Sequence, residues 1–167
     1  MRAVARIYES IIAGLAALAG LIVAAMVVAI VVDVAARNLG FVPPAATVAL
    51  TEYALLYFTM AAAPWLTRQK AHVTVLVVLD RLAPAARARA AVIVALVCAG
   101  VSFALAALAG VLMADSLRLA DIEPRSIDVP RWLLFLPLLV GFFFTGTEFL
   151  RAVARGEDVT RGAAERL

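Results

Sequence analysis

The chain has 167 residues, of which 65% are hydrophobic and 16% charged, with a formal net charge of +3 and a mean hydropathy of +1.02. An ordinary soluble domain carries about 25% charged residues, so this composition excludes a soluble globular protein and predicts an integral membrane protein. The single cysteine, Cys98, excludes an intrachain disulfide, an iron–sulfur cluster and a cysteine zinc site.

The first uncharged run covers residues 10–32 and is 23 residues long. About 20 apolar residues cross the hydrocarbon core, whereas the apolar part of a cleavable signal peptide has about 7 to 15, so we expect a retained first span. Asp33 and Arg37 follow at the outer end of this span with i, i+4 spacing. Residues at this spacing lie on one helix face, which predicts an ion pair.

Three further uncharged runs cover residues 53–67, 90–114 and 132–147. The first of these reaches spanning length only by extending past Glu52, and the last only by including polar residues at its ends. Backbone groups must be hydrogen-bonded within lipid, so the runs should be helices. The sequence therefore predicts an all-α integral membrane protein, a single membrane domain over residues 1–167 with four transmembrane helices at approximately 10–34, 45–67, 90–114 and 130–150.

The orientation follows from the distribution of lysine and arginine among the connecting segments. The termini and the link between the second and third spans carry 11 of these residues, and the other side carries 4. Cytoplasmic loops are enriched in Lys and Arg, so both termini should lie in the cytoplasm. The expected location is the bacterial inner membrane, crossed several times.

The link between the second and third spans contains an unusual apolar stretch, KAHVTVLVVLDRL, at residues 70–82. Only nine residues separate Lys70 from Asp80, which is too few to cross a bilayer. The flanking basic residues should hold the stretch at the inner headgroups as an interfacial cytoplasmic segment. Its apolar character on most sides favours burial between membrane lipids and a second protein, and a short surface helix that touches only lipid is the alternative.

Glu52 is predicted about 10 Å below the start of the second span, where an ionised carboxylate is costly. We expect it to serve as a structural or subunit-contact anion, with Arg37 as a shared candidate partner. The alternative is a transport carboxylate. A proton or ion relay would need more such groups along the bilayer, and residues 10–32 and 90–114 contain none.

The only histidine, His72, excludes several enzyme classes. One histidine outside the spans cannot supply paired axial ligands to a haem, and no nucleophile signature lies near an acid and a base. We therefore predict no enzyme activity, no cofactor, no metal site and no catalytic residue, and expect His72 to contact headgroups or another subunit. Nucleic acid is not an expected partner.

Small residues that would allow close helix packing recur at four-residue spacing. They are Ala16, Gly20 and Ala24 in the first span and Ser102, Ala106, Gly110 and Ala114 in the third. Pro64 and Pro137 each lack an amide donor and are expected to bend the second and fourth helices.

Several short motifs keep a fixed order relative to these spans. They are RNLG at 37–40, Glu52 early in the second span, TRQKAHV at 67–73, LDRL at 79–82 and SIDVPRW at 126–132 followed by Pro137. Over residues 10–150 this order resembles the small, four-helix permease subunit of tripartite ATP-independent periplasmic (TRAP) transporters.

The resemblance implies a sodium-coupled system for organic acids. A periplasmic substrate-binding protein captures the solute, a large multi-span permease subunit moves it, and the small subunit scaffolds the large one and helps to dock the binding protein. Contact with the large subunit, or a structural role, is then expected for Arg37, Glu52, His72, Val75 and Leu79. Docking of the binding protein is expected for Arg125, Asp128 and Arg131. The alternative is an autonomous small oligomeric channel or transporter, which would need polar residues along at least one span.

Overall fold

The computed structural model describes residues 2–41, 46–69, 84–120, 122–124 and 128–156. Within these ranges the chain forms helices α1 (Arg2–Asn38), α2 (Ala46–Arg68), α3 (Pro84–Leu119) and α4 (Trp132–Ala154). Two strands, β1 (Ile122–Pro124) and β2 (Asp128–Pro130), lie between α3 and α4. The predicted interfacial stretch at residues 70–82 lies outside the described residues.

The architecture is that of an all-α membrane protein, as the composition predicts. Among the described residues three helical segments are long and apolar enough to span a membrane: Arg6–Asn38, Ala88–Leu119 and Trp132–Ala154. Helix α2 has 23 residues but is less apolar, since it carries Glu52 and several threonines and tyrosines. A fourth crossing by α2, and the exact limits of the spans, stay predictions.

The segment between α3 and α4 contains two strands, which the all-α prediction did not include. Strands β1 and β2 pair antiparallel, with Ile122 opposite Pro130 and Pro124 opposite Asp128. Each strand has three residues, too few to produce a detectable alternation of apolar and polar side chains. Helix α4 begins directly afterwards, at Trp132.

The helices pack in the order α1, α2, α4, α3, so that α2 and α4 occupy the middle. Helices that follow one another in the chain run in opposite directions, so the neighbours α2 and α4 run in the same direction. We call the end of the bundle that carries β1, β2, the end of α1 and the start of α2 the ribbon end. The opposite end carries the start of α1 and the end of α4.

The α3–α4 interface is built from small side chains, and the predicted four-residue spacing holds in part: Ser102 and Ala106 are buried and Gly110 lies near Leu139, whereas Ala114 is exposed. Gly146 of α4 lies so close to Phe103 of α3 that a Cβ there would be 3.1 Å from the ring. The buried residues of α3 recur every three or four positions and include Ala91, Ala95, Ala99, Ser102, Ala106 and Ala109. Such a surface allows close approach of helix backbones. The corresponding expectation fails for Gly20 of α1, which has nothing within 4 Å of an added Cβ.

The α2–α4 interface contains the backbone carbonyls that two prolines leave without their helical donor. Pro64 has no N–H for the carbonyl of Met60, four residues earlier. That carbonyl lies against Gly141 of α4, where an added Cβ would be 2.7 Å from the oxygen. Only glycine therefore permits this crossing, and the expected helix bends themselves stay predictions.

Pro137 produces the same situation in α4. It has no N–H for the carbonyl of Leu133, and the Tyr57 hydroxyl of α2 donates to that carbonyl at 2.7 Å. A neighbouring helix thus supplies the donor that the proline removes, which is how membrane helices tolerate internal proline. The two contacts hold α2 and α4 together at two depths.

Candidate functional site

The charged side chains of the four helices lie near the helix ends. Helix α1 carries none between Glu9 and Asp33, and α3 carries none between Arg89 and Asp115. Helices α2 and α4 each carry one charge further from an end, Glu52 and Glu148, about two turns from the start of α2 and from the end of α4. The charged side chains of the described helices therefore fall in two regions, one towards each end of the bundle.

At the ribbon end, Arg37 donates from Nε to Oδ2 of Asp33 at 2.8 Å. This contact confirms the ion pair that the i, i+4 spacing predicts. The Arg37 side chain is 57% exposed and that of Asp33 only 15%. The guanidinium therefore lies at the surface, while the carboxylate faces into the space between α1 and α2.

That space is a groove of about 630 Å³ between α1 and α2. Most of its walls are apolar, and the residues that line it are Ile22, Ala25, Met26, Ala29, Val32, Asp33, Ala36, Thr47, Leu50, Thr51, Tyr53, Ala54 and Tyr57. Two buried polar atoms in lining residues, Oδ1 of Asp33 and the hydroxyl oxygen of Tyr53, have no hydrogen-bond partner within the described ranges. The sequence analysis did not predict this groove, because helix periodicity does not show how two helices diverge.

The residues predicted to contact a large subunit fall in different places. Arg37 pairs with Asp33, and Glu52 lies exposed on α2, outside the set of groove residues. His72, Val75 and Leu79 lie outside the described residues. Their proposed contacts stay predictions.

Two of the three residues predicted to dock a binding protein lie close together. Asp128 is exposed in β2, and Arg131 is exposed immediately before α4. Arg125 lies outside the described residues. Asp128 and Arg131 belong to the ribbon end, as does Arg37, and the docking role itself stays a prediction.

The opposite end contains a polar cluster that the sequence analysis missed. The hydroxyls of Tyr8 in α1 and Thr147 in α4 are 2.7 Å apart, and Thr147 Oγ1 donates to the carbonyl of Phe144. A hydroxyl has one proton to donate, so the Tyr8 hydroxyl must be the donor to Thr147. This hydrogen bond joins the first and last helices of the chain.

Charged residues complete the cluster. Arg151 lies over the Tyr8 ring at 4.2 Å from the centroid, and its Nη1 is 3.5 Å from Oε1 of Glu148, a residue only 4% exposed. Glu9 of α1 and Arg68 of α2 form a second ion pair of 3.4 Å at this end. The sequence signal was the i, i+3 spacing of Glu148 and Arg151, and nothing in it indicated Tyr8 as the partner.

The two regions differ from each other in what their polar groups contact. In the part of the chain that the structure describes, no group of three or more His, Cys, Asp or Glu side chains could hold a metal ion. The cluster at the opposite end connects helices to one another. The groove at the ribbon end instead has mostly apolar walls, and two of its lining residues have a buried polar atom without a partner among the described residues.

Comparison with known protein families gives a match over most of the chain. The family described as "Tripartite ATP-independent periplasmic transporters, DctQ component" matches residues 26–157. This range includes all of α2, α3 and α4, both strands and the second part of α1. No curated protein and no solved structure gave a significant match.

Proposed function

This chain belongs to the family of DctQ components of tripartite ATP-independent periplasmic transporters, and from that premise we propose that it is the small scaffolding subunit of such a system. The match confirms the resemblance that the order of the sequence motifs suggested. The chain is thus a component of a membrane transporter, and the family is one of transporter components rather than enzymes. Scaffolding means that it holds and orients a large multi-span permease subunit without conducting the solute itself.

One observation carries this proposal: the middle parts of the four helices carry no charged side chain, and the innermost charges of α2 and α4, Glu52 and Glu148, lie about two turns from a helix end. A carboxylate-bearing solute crossing through these helices would meet no compensating charge in their middle parts. Ionised groups are expensive within the bilayer unless paired or hydrated. A path for such a solute therefore belongs to another subunit.

The exposed surface of α1 supports a role in assembly. This helix packs mainly on α2, and its outward apolar side chains include Leu21, Val28 and Val31, which are 67%, 63% and 61% exposed. Large apolar surfaces are covered by lipid or by a partner protein. The exposed apolar face of α1 is therefore suited to contact with lipid and with a partner protein.

The remaining details of the proposal come from the family. We propose sodium-coupled uptake of organic acids, in which a periplasmic binding protein delivers the solute and the large subunit moves it. The 11 to 4 distribution of basic residues supports the inner membrane with both termini in the cytoplasm. The ribbon end would then face the periplasm, where Arg125, Asp128 and Arg131 would help to dock the binding protein.

Contact with the large subunit is proposed for Arg37, Glu52 and the apolar stretch at residues 70–82, including His72. The test is co-purification of the large subunit with the full chain carrying Val75→Asp or Leu79→Asp. We expect both substitutions to reduce recovery about tenfold or more, since a carboxylate in an apolar contact must lose its hydration.

The matched control is Leu119→Asp, which places the same charge at the end of α3, where Leu119 is 74% exposed. Circular dichroism should show that all three variants retain their helices. Undiminished recovery of the large subunit with both Val75→Asp and Leu79→Asp would contradict the proposed contact surface.

The proposed orientation has a separate test. In a Cys98→Ala background, single cysteines at positions 74 and 126 should respond differently to an impermeant maleimide applied to intact cells. Position 126 should label and position 74 should not. The reverse pattern would overturn the orientation.

A further inference from the structure

We propose that the groove between α1 and α2 binds one chain of a membrane phospholipid whose headgroup carries a primary ammonium. The ammonium would donate to Asp33, and the phosphate would accept from Arg37. This inference concerns a lipid site in the chain itself and goes beyond the scaffolding role.

The groove has the length and polarity of one lipid leaflet. Its lining runs along α1 from Ile22 to Ala36, 15 residues that rise about 21 Å. Half of a bilayer including its headgroup region is about 20 to 22 Å thick. Near Ile22 and Met26 the groove is lined by apolar side chains. The polar lining residues Asp33, Thr47 and Thr51 lie towards the ribbon end.

The volume of the groove suits a small amphiphile. It is about 630 Å³, within the range of roughly 300 to 1,000 Å³ that is typical of sites for small ligands. Such sites combine mostly apolar walls with a few polar groups that fix the orientation of the ligand. Here the polar groups are concentrated near one end, which favours an occupant with a single polar head.

The unpartnered atoms define what that head must supply. Asp33 accepts from Arg37 through Oδ2, and its other oxygen, Oδ1, is buried without a donor among the described residues. A carboxylate oxygen can only accept, and leaving a buried acceptor unpaired is costly. A primary ammonium has three N–H donors, whereas a quaternary ammonium has none. The Tyr53 hydroxyl, also buried and unpartnered, can accept from the ammonium or donate to a phosphate oxygen.

Charge complementarity points to a zwitterionic head. Asp33 and Arg37 together carry no net charge, as does a headgroup with one phosphate and one ammonium. The Arg37 side chain is 57% exposed, and its guanidinium retains donors suited to phosphate oxygens. An anionic headgroup without an ammonium, such as that of phosphatidylglycerol, would bring only neutral hydroxyl donors to Asp33 and would add negative charge beside its carboxylate.

A helix of the large subunit is the competing occupant. A transmembrane helix crosses both leaflets and presents side chains along its whole length, whereas the groove lining begins at Ile22, near the middle of α1. The one-leaflet length and the polarity at a single end therefore favour a lipid.

Native mass spectrometry of the purified full chain tests the proposal. The chain is supplied with phosphatidylethanolamine, phosphatidylcholine or phosphatidylglycerol that have identical acyl chains. We expect phosphatidylethanolamine to be retained about tenfold more strongly than either competitor, the effect expected for one charge-assisted hydrogen bond. Equal retention of the three lipids would overturn the proposal.

Asp33→Asn should reduce this preference to about threefold or less, because the amide oxygen is a weaker acceptor than the carboxylate. The control is Asp115→Asn, which removes an exposed carboxylate four residues before the end of α3. Asp115→Asn should leave the preference unchanged. If Asp33→Asn keeps the full preference for phosphatidylethanolamine, Asp33 does not bind the headgroup and the proposal is wrong.

A second pair of variants tests the acyl part of the site and remains informative if Asp33→Asn does not fold. Ala24 and Ala25 are both exposed, but only Ala25 lines the groove. Ala25→Leu should fill the groove and lower phosphatidylethanolamine retention about tenfold, roughly the effect of displacing one or two buried methylenes. Ala24→Leu should not lower it. If Ala25→Leu retains the lipid and instead releases the large subunit, the groove binds protein and the proposal is wrong.

Discussion

Helix α2 forms two interfaces, with α4 and with α1, which differ in whether buried polar groups of α2 find hydrogen-bond partners within the described chain. Against α4, Tyr57 donates to the carbonyl that Pro137 leaves free, and Gly141 allows the Met60 carbonyl to approach closely. Against α1, near the ribbon end, the helices leave a groove in which Asp33 and Tyr53 each have a buried polar atom without a partner in the described chain.

The comparison is sharpest for the two tyrosines, which lie four residues apart on α2. The Tyr57 hydroxyl has an acceptor in the neighbouring helix, whereas that of Tyr53 has none within the described residues. Buried polar groups are normally paired, so the second interface is suited to atoms from outside the chain. The α2–α4 interface should therefore govern stability, and the α1–α2 groove should govern what the chain binds.

The largest effect is expected for Gly141→Ala. The new Cβ would lie 2.7 Å from the Met60 carbonyl oxygen and 3.1 Å from its Cα, so the two backbones must separate. Overpacking against backbone should lower the free energy of unfolding by about 3 kcal/mol. Thermal unfolding in detergent measures this loss. Gly100→Ala is the control, because an added Cβ there meets nothing within 4 Å, and equal stability of the two variants would contradict the close crossing.

A smaller loss is expected for Tyr57→Phe. The substitution keeps the ring and leaves the buried Leu133 carbonyl without its donor, which should cost about 1 to 2 kcal/mol. Tyr53→Phe makes the same change where no partner is lost, and should alter stability by less than about 0.5 kcal/mol in detergent free of ammonium lipids. Chemical unfolding of both variants compares the interfaces directly. Equal losses of unfolding free energy in the two variants would show that the α2–α4 and α1–α2 interfaces do not differ in this way.

The smallest effect is expected for Arg37→Met. The Asp33–Arg37 pair is local, and the Arg37 side chain is 57% exposed, so removing the pair should cost about 0.3 to 0.5 kcal/mol. The same variant should bind phosphatidylethanolamine more weakly than the unaltered chain. A loss of stability as large as that of Gly141→Ala would show that the ribbon end is part of the structural core.

The sequence predicted those features that depend on local composition. Uncharged runs indicated the membrane helices, the spacing of Asp33 and Arg37 predicted their ion pair, and small residues in the third span predicted close packing on α3. Each of these signals lies within one helix. The family was also recognisable, because its motifs keep their order along the chain.

The missed features depend on contacts between distant segments. Pro137 and Tyr57 are both visible in the sequence, but their pairing across α2 and α4 requires the crossing geometry. Tyr8 and Thr147 are 139 positions apart, so no local pattern connects them. The groove is similar, since it depends on the divergence of α1 from α2.

Uptake by reconstituted proteoliposomes tests the central claim, that this chain supports transport without conducting the solute. The solute is chosen as an organic acid that raises the melting temperature of the partner binding protein, and sodium is supplied as a gradient. Three preparations are compared: this chain alone, this chain with the large subunit, and both with the binding protein.

We predict saturable uptake only in the complete preparation, and only background leakage through this chain alone. The reason is that its helices carry no charge in their middle parts to replace the hydration of a carboxylate. Saturable, sodium-dependent uptake by the isolated chain would contradict the account.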